Sequence, residues 1–292
     1  MSITEFQRKR RKDYIGSSDA AAILGVNPYE NAYDIWLQKT GKLEIEKAET
    51  PDMSLGRALE KTILDLAEQD LGSIDTAAGL EFILDSLHII SHPDGIVLKT
   101  YEPVEAKESG IRNPFYAKEN WGEANTDQVP DMILIQTQVH ILATKKSICH
   151  IPTILGGRGY VMFFTPEDKE LQQMILNSVG HFWDEHIVKD IPPENVLPTM
   201  DVIKRIRRQP NSTIDIPKEL VEERETAQIF LKSAEKDFEI KDMALRTALG
   251  TAEAGRFDGG LVTYFLQHRN AEKKIREAYD YRCLRIKRDK NA

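Results

Sequence analysis

The chain has 292 residues, 41% of them hydrophobic and 29% charged, which is typical of a globular protein. A formal net charge of −8 argues against a protein whose whole surface binds nucleic acid, but it allows a local basic channel. Two cysteines are too few for a Cys₄ zinc site or an iron–sulfur cluster. No apolar run reaches membrane-spanning length and the charged N-terminus lacks a signal-peptide pattern, so we expect a cytoplasmic protein without membrane contact.

The first predicted helix begins at a pair of serines. Ser17 and Ser18 precede the apolar residues 20–24, and Gly25 follows, a pattern typical of a short helix with a serine N-cap and a C-terminal glycine. The N–H groups of a helix N-terminus bind anions, and Arg11 just upstream can add a bidentate phosphate contact. The alternative is a plain capped helix without a ligand.

Two further helices are predicted at residues 31–39 and 54–71. The second has leucine and isoleucine residues at helical spacing, which indicates one buried face. Glu60 lies beside that face. It therefore either faces a cleft or is an ordinary surface glutamate.

The stretch from Ser91 to Lys107 has the most informative pattern. The apolar residues 87–90 predict a strand, Asp94-Gly95 is a turn signal, and residues 104–107 predict the next strand. Alternate side chains of a strand share a face, so Glu105 and Lys107 should point the same way. A hairpin would then bring Asp94 beside them.

Two neighbouring carboxylates and an amine suit metal-assisted phosphodiester hydrolysis. The carboxylates repel each other and favour a divalent cation such as Mg²⁺, which keeps several waters when bound by one or two carboxylates. A lysine beside the ion can orient the attacking water or help to deprotonate it. The spacing Pro93-Asp94 … Glu105-Ala106-Lys107 resembles the PD-(D/E)xK nuclease motif. The alternative is a common turn followed by a common exposed ion pair.

The second half of the chain alternates apolar and turn-rich segments. Residues 129–142 predict a helix on which Gln136 and His140 share a face, whereas Gln138 does not. A glutamine facing the cleft could bind phosphate or the attacking water, and otherwise it is structural. The remaining predicted elements are strands at 149–154 and 160–164 joined by a glycine turn, a helix that begins in the N-cap segment 165–168 with Pro166 at its first position and ends near 192, a long helix at 217–249, and strands at 261–268 and 281–287.

In this order, the segments resemble the lambda-exonuclease-like viral recombinase family of the YqaJ type. Ser17 stands where that family usually has glycine, and Ile133 stands where a tyrosine is common. The matching residues, within about 8–195, are Arg11, Gly16-Ser17-Ser18-Asp19, Gly56-Arg57-Ala58-Leu59-Glu60, Pro93-Asp94-Gly95, Glu105-Ala106-Lys107, Pro130, Gln136-Thr137-Gln138, Gly156-Gly157, Phe182-Trp183 and Pro192-Pro193.

The resemblance implies an α/β (α+β) fold with a restriction-endonuclease-like core, in which helices flank a central mixed sheet. Residues 1–195 would form the exonuclease domain, and residues 196–292 a C-terminal extension with a long helix and a β-hairpin. The implied activity is 5′→3′ digestion of double-stranded DNA ends, which leaves 3′ single-stranded tails for phage-type recombination.

The resemblance also assigns the metal site. Asp94 and Glu105 would bind Mg²⁺, for which Mn²⁺ can substitute, and the backbone carbonyl of Ala106 would add a third ligand. Lys107 would position the attacking water. Glu60 would assist from its helix, either as a further ligand or by supporting the others.

The implied DNA contacts come from two segments. Arg11 and Ser18, with Ser17 beside them, would hold the 5′-phosphate of the degraded strand. Gln138, with Gln136 as the second choice, would bind near the scissile phosphate. The resemblance further implies a ring-shaped homotrimer around DNA and a single-strand annealing protein as partner.

Two other functions are compatible with the same residues. One is a PD-(D/E)xK endonuclease or repair nuclease with the same metal core. The other is a non-catalytic DNA-binding or phage assembly protein, which would not need Asp94, Glu105 and Lys107 together.

Overall fold

The computed structural model describes residues 10, 12–43, 49–76, 80–111, 113, 115, 119–194, 196–199, 202, 205, 214–269 and 279–288. Arg11 lies outside these residues, as does the side chain of Cys283. The chain divides into two compact units, Met1–Pro210 and Asn211–Ala292.

The first unit mixes short strands with helices of 7 to 21 residues. In chain order its elements are β1 (Ile15–Gly16), α1 (Ser17–Ile23), α2 (Ala32–Lys39), α3 (Pro51–Leu71), β2 (Ile74–Asp75), β3 (Phe82–Leu84), β4 (Ile89–Ser91), β5 (Gly95–Val97), β6 (Pro103–Val104), β7 (Lys107–Ser109), α4 (Asp131–Thr144), β8 (Ile148–Leu155), β9 (Gly159–Pro166) and α5 (Lys169–Phe182).

The main sheet is mixed. β2 pairs with β5 and β5 with β6, both antiparallel, and β8 pairs antiparallel with β9. β6 and β7 both run parallel to β8, so they are two segments of one strand that is interrupted at Glu105 and Ala106. A smaller sheet has the order β1-β4-β3.

Helices cover both faces of the main sheet. On one face, Leu64 and Ala67 of α3 pack with Val97 and Val104 of the sheet. On the other face, Ile133 of α4 belongs to a cluster with Trp121 and the inward residues of β8 and β9. A third cluster joins α1, α2, α4 and α5. The predicted fold class, a mixed sheet flanked by helices, is therefore confirmed.

Three local predictions were wrong. Pro166 does not begin a helix, because it still pairs with Ile148 in β9, and Asp168 is the N-cap of α5. Asp94-Gly95 is not the hairpin turn, because Gly95 already pairs with Val104 and the chain turns after Val97 instead. Ser17 is not the N-cap of α1 either. Gly16 takes that position, and its N–H donates to the Asp19 carboxylate, so both serines lie inside the first turn.

The second unit consists of α6 (Lys218–Leu249) followed by β10 (Ala254–Phe257), β11 (Gly260–Arg269) and β12 (Tyr279–Arg288). The three strands form an antiparallel sheet in the order β10-β11-β12. The predicted long helix and hairpin are confirmed, whereas β10 was not predicted. Among the residues with described positions, no helix has the length and apolarity needed to cross a membrane.

Candidate active site

Glu105 lies at the interruption between β6 and β7. Its neighbour Val104 packs into the cluster under α3, so alternation directs Glu105 to the opposite face, toward α4. There its side chain is almost completely buried. Lys107 Nζ donates to its Oε1 at 2.5 Å, and the Gln136 amide donates to the same oxygen.

Asp94 is hydrogen-bonded, through its backbone and its side chain, to the interrupted strand that carries Glu105. Its N–H donates to the Val104 carbonyl at 3.0 Å, and its Oδ2 accepts the Ala106 N–H at 2.8 Å. The chain therefore holds Asp94 beside the interruption from which Glu105 projects. The structure brings together the two carboxylates and Lys107, as the sequence predicted.

The two carboxyl groups have opposite pKa shifts. Burial, and then the charge of Glu105, raises the pKa of Asp94 well above its usual value. Burial alone would also raise the pKa of Glu105, but Lys107 and His140 outweigh it and lower that pKa to about 2. Glu105 is therefore the permanently charged member of the pair, and Asp94 is the one whose charge is costly.

Lys107 is held as an ammonium ion. Burial would lower its pKa, but the carboxylates of Glu105 and Asp94 outweigh burial and raise it. A group that stays protonated cannot accept a proton from water. The side chain is instead suited to orienting a nucleophile or balancing negative charge.

A divalent cation fits the donor set of this site. Glu105 Oε2 is buried 3.0 Å from His140 Nε2, and because a carboxylate oxygen has two lone pairs, one is left for a cation. Within the described part of the chain, no three His, Cys, Asp or Glu side chains are close enough to hold an ion by themselves. Two carboxylates supplemented by water suit Mg²⁺, which keeps several of its waters in proteins.

Glu60 lies on α3, half-buried, and its charge contributes to raising the pKa of Asp94. It is thus within electrostatic range of the pair without completing a three-residue cluster. The described contact of Ala106 with Asp94 is made by its N–H group. The roles of Glu60 and of the Ala106 carbonyl as ligands remain predictions.

A pocket of about 380 Å³ opens over Asp94 and Glu105. Ser17 and Ser18 of α1 lie on its wall, which places the predicted phosphate segment beside the carboxylates. The sequence did not single out its basic lining residues. These are Lys12, Lys39 and His92.

Two of these basic residues have anionic partners. Lys39 Nζ lies 2.6 Å from the Asp19 carboxylate, and His92 Nε2 lies 3.2 Å from that of Glu81. They were missed because no motif connects them. The loop before α1, the helix α2 and the loop after β4 meet only in the folded chain.

The resemblance favoured Gln138 over Gln136 as the glutamine of the site, but the structure places Gln136 there. Gln136 lines the pocket and reaches Glu105. Gln138 is fully buried on another side of α4, where it donates to the Pro166 carbonyl and accepts the Asp168 N–H. The prediction that Gln138 binds near the scissile phosphate is therefore wrong, because its amide is engaged in holding the start of α5.

Cys149 lies behind the carboxylates on β8 and is fully buried. Burial, followed by the charges of Glu105 and Asp94, raises the pKa of its thiol well above the usual value. The thiol is therefore protonated and unreactive in the folded protein.

The chain is similar to known proteins in sequence and in fold. Residues 5–147 match the family model described as a YqaJ-like viral recombinase domain. The uncharacterized protein YqaJ of Bacillus subtilis is 24% identical over 193 residues, which cover 64% of this chain. That alignment spans 57% of the relative, so the chain corresponds to little more than half of its length.

The fold is similar to that of an alkaline exonuclease, LHK-Exo, from Laribacter hongkongensis. Its crystal structure superposes with a TM-score of 0.50 at 20% identity, covering 64% of this chain and 94% of the exonuclease. The structure of LHK-Exo in complex with dAMP gives a TM-score of 0.51 at 17% identity with the same coverage. In residues 5–147, the chain is therefore similar to the YqaJ-like viral recombinase domains.

Proposed function

We propose that this protein is a divalent-metal-dependent exonuclease that digests duplex DNA from 5′-phosphorylated ends and leaves 3′ single-stranded tails. The observation that carries the proposal is the convergence of Asp94, Glu105 and Gln136 at one pocket whose wall includes the serines of α1. Lys107 donates to Glu105 beside that pocket. The family match and the exonuclease fold of the Laribacter protein support it.

Each residue has a defined task in this proposal. Asp94 and Glu105 would hold Mg²⁺ or Mn²⁺, which when bound supplies Lewis-acid activation of the scissile phosphate. Lys107 keeps its proton, and it orients the attacking water and balances charge on the phosphate. Gln136 fixes Glu105 and borders the space where the reacting group would lie.

The end-binding task belongs to the segment before and within α1. Ser18 is exposed on the pocket wall, and Arg11 lies seven residues earlier in the chain. A charge-assisted hydrogen bond contributes roughly 1.5–3 kcal/mol, so a 5′-phosphate should be preferred by about tenfold to a hundredfold. A ring-shaped trimer and a single-strand annealing partner follow from the resemblance, and both remain predictions. The cytoplasmic location expected from the sequence also remains a prediction.

The test is a digestion time course with Mg²⁺ on three duplexes: linear with 5′-phosphate, linear with 5′-hydroxyl, and covalently closed. We expect the first to be degraded fastest and the closed duplex to persist. Asp94→Asn and Glu105→Gln should abolish digestion. Glu102→Gln is the matched control. Glu102 lies on the same hairpin, but its carboxylate hydrogen-bonds His150 and is not part of the site, so this variant should retain activity.

The outcomes separate the competing functions. Equal digestion of the two linear duplexes by wild type and by Arg11→Ala would remove the phosphate-pocket assignment. Cutting of the closed duplex would indicate an endonuclease. Binding of DNA without metal-dependent hydrolysis would indicate a non-catalytic protein.

A further inference from the structure

A buried histidine connects the site to the small sheet. His140 of α4 is fully buried. Its Nδ1 lies 2.7 Å from Ser91 Oγ at the end of β4, and its Nε2 lies 3.0 Å from Glu105 Oε2. The three side chains form a line from β4 through α4 to the interruption between β6 and β7.

The chemistry of the partners determines where the histidine protons lie. An ionised carboxylate only accepts hydrogen bonds, so Nε2 must carry a proton where it faces Glu105. The Ser91 hydroxyl can rotate to donate to Nδ1, which favours the same tautomer. Ser91 therefore favours the tautomer in which Nε2, the nitrogen that faces the carboxylate, carries the proton.

The two oxygens of Glu105 have different surroundings. Lys107 and Gln136 both donate to Oε1, which occupies its two lone pairs. Oε2 faces His140 Nε2 at 3.0 Å, and its second lone pair has no partner among the described residues. A buried oxygen left in this state is costly, and a cation approaching Oε2 would satisfy it.

We propose that His140 is a positioning residue for the metal site: Ser91 sets its tautomer, and its Nε2–H orients Glu105 so that Oε2 presents a free lone pair to a divalent cation. The inference rests on the proposed function, in which Glu105 is a metal ligand. His140 acts through Glu105 and does not itself contact the cation. A histidine that donates to a ligand carboxylate fixes the ligand's direction, which normally affects metal affinity as well as rate.

The alternative is that His140 merely fills space between α4 and β4. Gln138 provides the matched control, because it is equally buried on the same helix but makes its hydrogen bonds to Pro166 and Asp168, away from Glu105. Loss of either side chain should destabilise the fold. Only the loss of His140 should change the metal site.

The experiment is an EPR titration of the full-length protein with Mn²⁺ alone, accompanied by thermal unfolding of each variant. Compared with wild type, His140→Leu should weaken Mn²⁺ binding by about tenfold to a hundredfold. His140→Gln should restore part of the affinity, because its amide N–H can lie near the position of Nε2. Gln138→Leu should lower the melting temperature and leave Mn²⁺ affinity unchanged.

The variants also protect the test against misfolding. If His140→Leu does not fold, Ser91→Ala replaces it in the test. Ser91→Ala should weaken Mn²⁺ binding by a smaller factor than predicted for His140→Leu. Wild-type affinity in His140→Leu, or in both Ser91→Ala and His140→Gln, would overturn the inference, as would equal weakening by Gln138→Leu. Glu105→Gln should abolish the Mn²⁺ binding seen in wild type. If wild type binds no Mn²⁺, or if Glu105→Gln binds it equally well, the metal site of the proposed function is wrong, and so is this inference.

Discussion

At the scale of single residues, the two carboxylates of the pocket differ in what their charge costs. Glu105 is compensated by Lys107, whereas the charge of Asp94 is opposed by burial and by Glu105 itself. A carboxyl whose pKa is raised in the fold destabilises the native state at high pH, and one whose pKa is lowered stabilises it. Replacing Asp94 and Glu105 by their neutral amides should therefore change the stability of the fold in opposite directions.

We predict that, in EDTA at pH 7, Asp94→Asn raises the melting temperature and Glu105→Gln lowers it. Removing the charge of Asp94 should raise the free energy of unfolding by about 1 kcal/mol, and thus the melting temperature by roughly 2–4 °C. Removing Glu105 leaves the half-buried Lys107 without its main partner, which should lower the free energy of unfolding by about 1–3 kcal/mol. Thermal unfolding followed by circular dichroism measures both changes.

The pH dependence follows from the directions of the shifts. The gain from Asp94→Asn should be largest above the raised pKa of Asp94 and vanish below about pH 3.9, where aspartate is protonated in the unfolded chain too. The loss from Glu105→Gln should persist above about pH 4.3 and shrink as the pH falls toward 2. A decrease in melting temperature for both variants at pH 7 would contradict this account.

Sequence spacing predicted part of the site and could not predict the rest. Asp94, Glu105 and Lys107 were predictable because the period of a strand and the spacing of the motif specify them. Which glutamine faces the carboxylates was not, because α4 is buried on nearly all sides and its pattern does not distinguish a sheet-facing side. His140 likewise becomes informative only when β4 supplies Ser91 next to it.

At the scale of elements, glycines report close approaches of chain segments and not only turns. Gly95 was interpreted as a turn residue, yet it lies in β5, where an added Cβ would be 2.5 Å from Ile74 of β2. Glycine is required there by the neighbouring strand. A dipeptide pattern cannot distinguish these two reasons, because the neighbour is distant in sequence.

The hairpin between β8 and β9 gives a second example with a testable consequence. At Gly156 a Cβ would lie 1.8 Å from the Gly110 carbonyl oxygen, just beyond β7, which begins with Lys107. We predict that Gly156→Ala costs about 1–3 kcal/mol, the usual range for overpacking, and also lowers nuclease activity by moving β7. Urea unfolding and the digestion assay measure the two effects.

Gly159 is the matched control for that substitution. It lies in the same hairpin at φ +76°, with open space around its Cβ position. Gly159→Ala should incur only the backbone penalty, about 1 kcal/mol, and leave the activity unchanged. Equal losses of activity in the two variants would show that β7 is not displaced through Gly156.

At the scale of the whole molecule, the first unit extends beyond the predicted domain end at residue 195. Val202 is buried in the cluster that includes α1 and α2. The Thr199 N–H donates to buried Asp34 at 2.9 Å, and Asn31 donates to the Leu197 carbonyl. We infer that residues 196–210 complete the N-terminal unit.

The corresponding prediction compares two fragments. A fragment ending at Pro210 should be more stable than one ending at residue 195 by about 2–4 kcal/mol, the contribution of one buried valine and one buried hydrogen bond. Urea unfolding provides the measurement. Val202→Ala in the longer fragment should reproduce part of the loss, and equal stability of the two fragments would place the boundary at 195.

The long C-terminal helix was predictable almost to the residue, from 217–249 in sequence to Lys218–Leu249 in structure. Strong helix formers and a closing glycine specify it locally, without help from tertiary packing. Short strands such as β2, β6 and β10 were less predictable. Two to four residues contain too little pattern, and their pairing partners define them.

The buried thiol of Cys149 has a practical consequence. Because alkylation requires an exposed thiolate to attack the reagent, the folded protein protects Cys149 until the sheet beside the carboxylates opens. In a Cys283→Ser background, the rate of alkylation thus measures how often β8 opens locally. Local unfolding at the candidate active site can therefore be followed through its own cysteine, without DNA, metal or an introduced label.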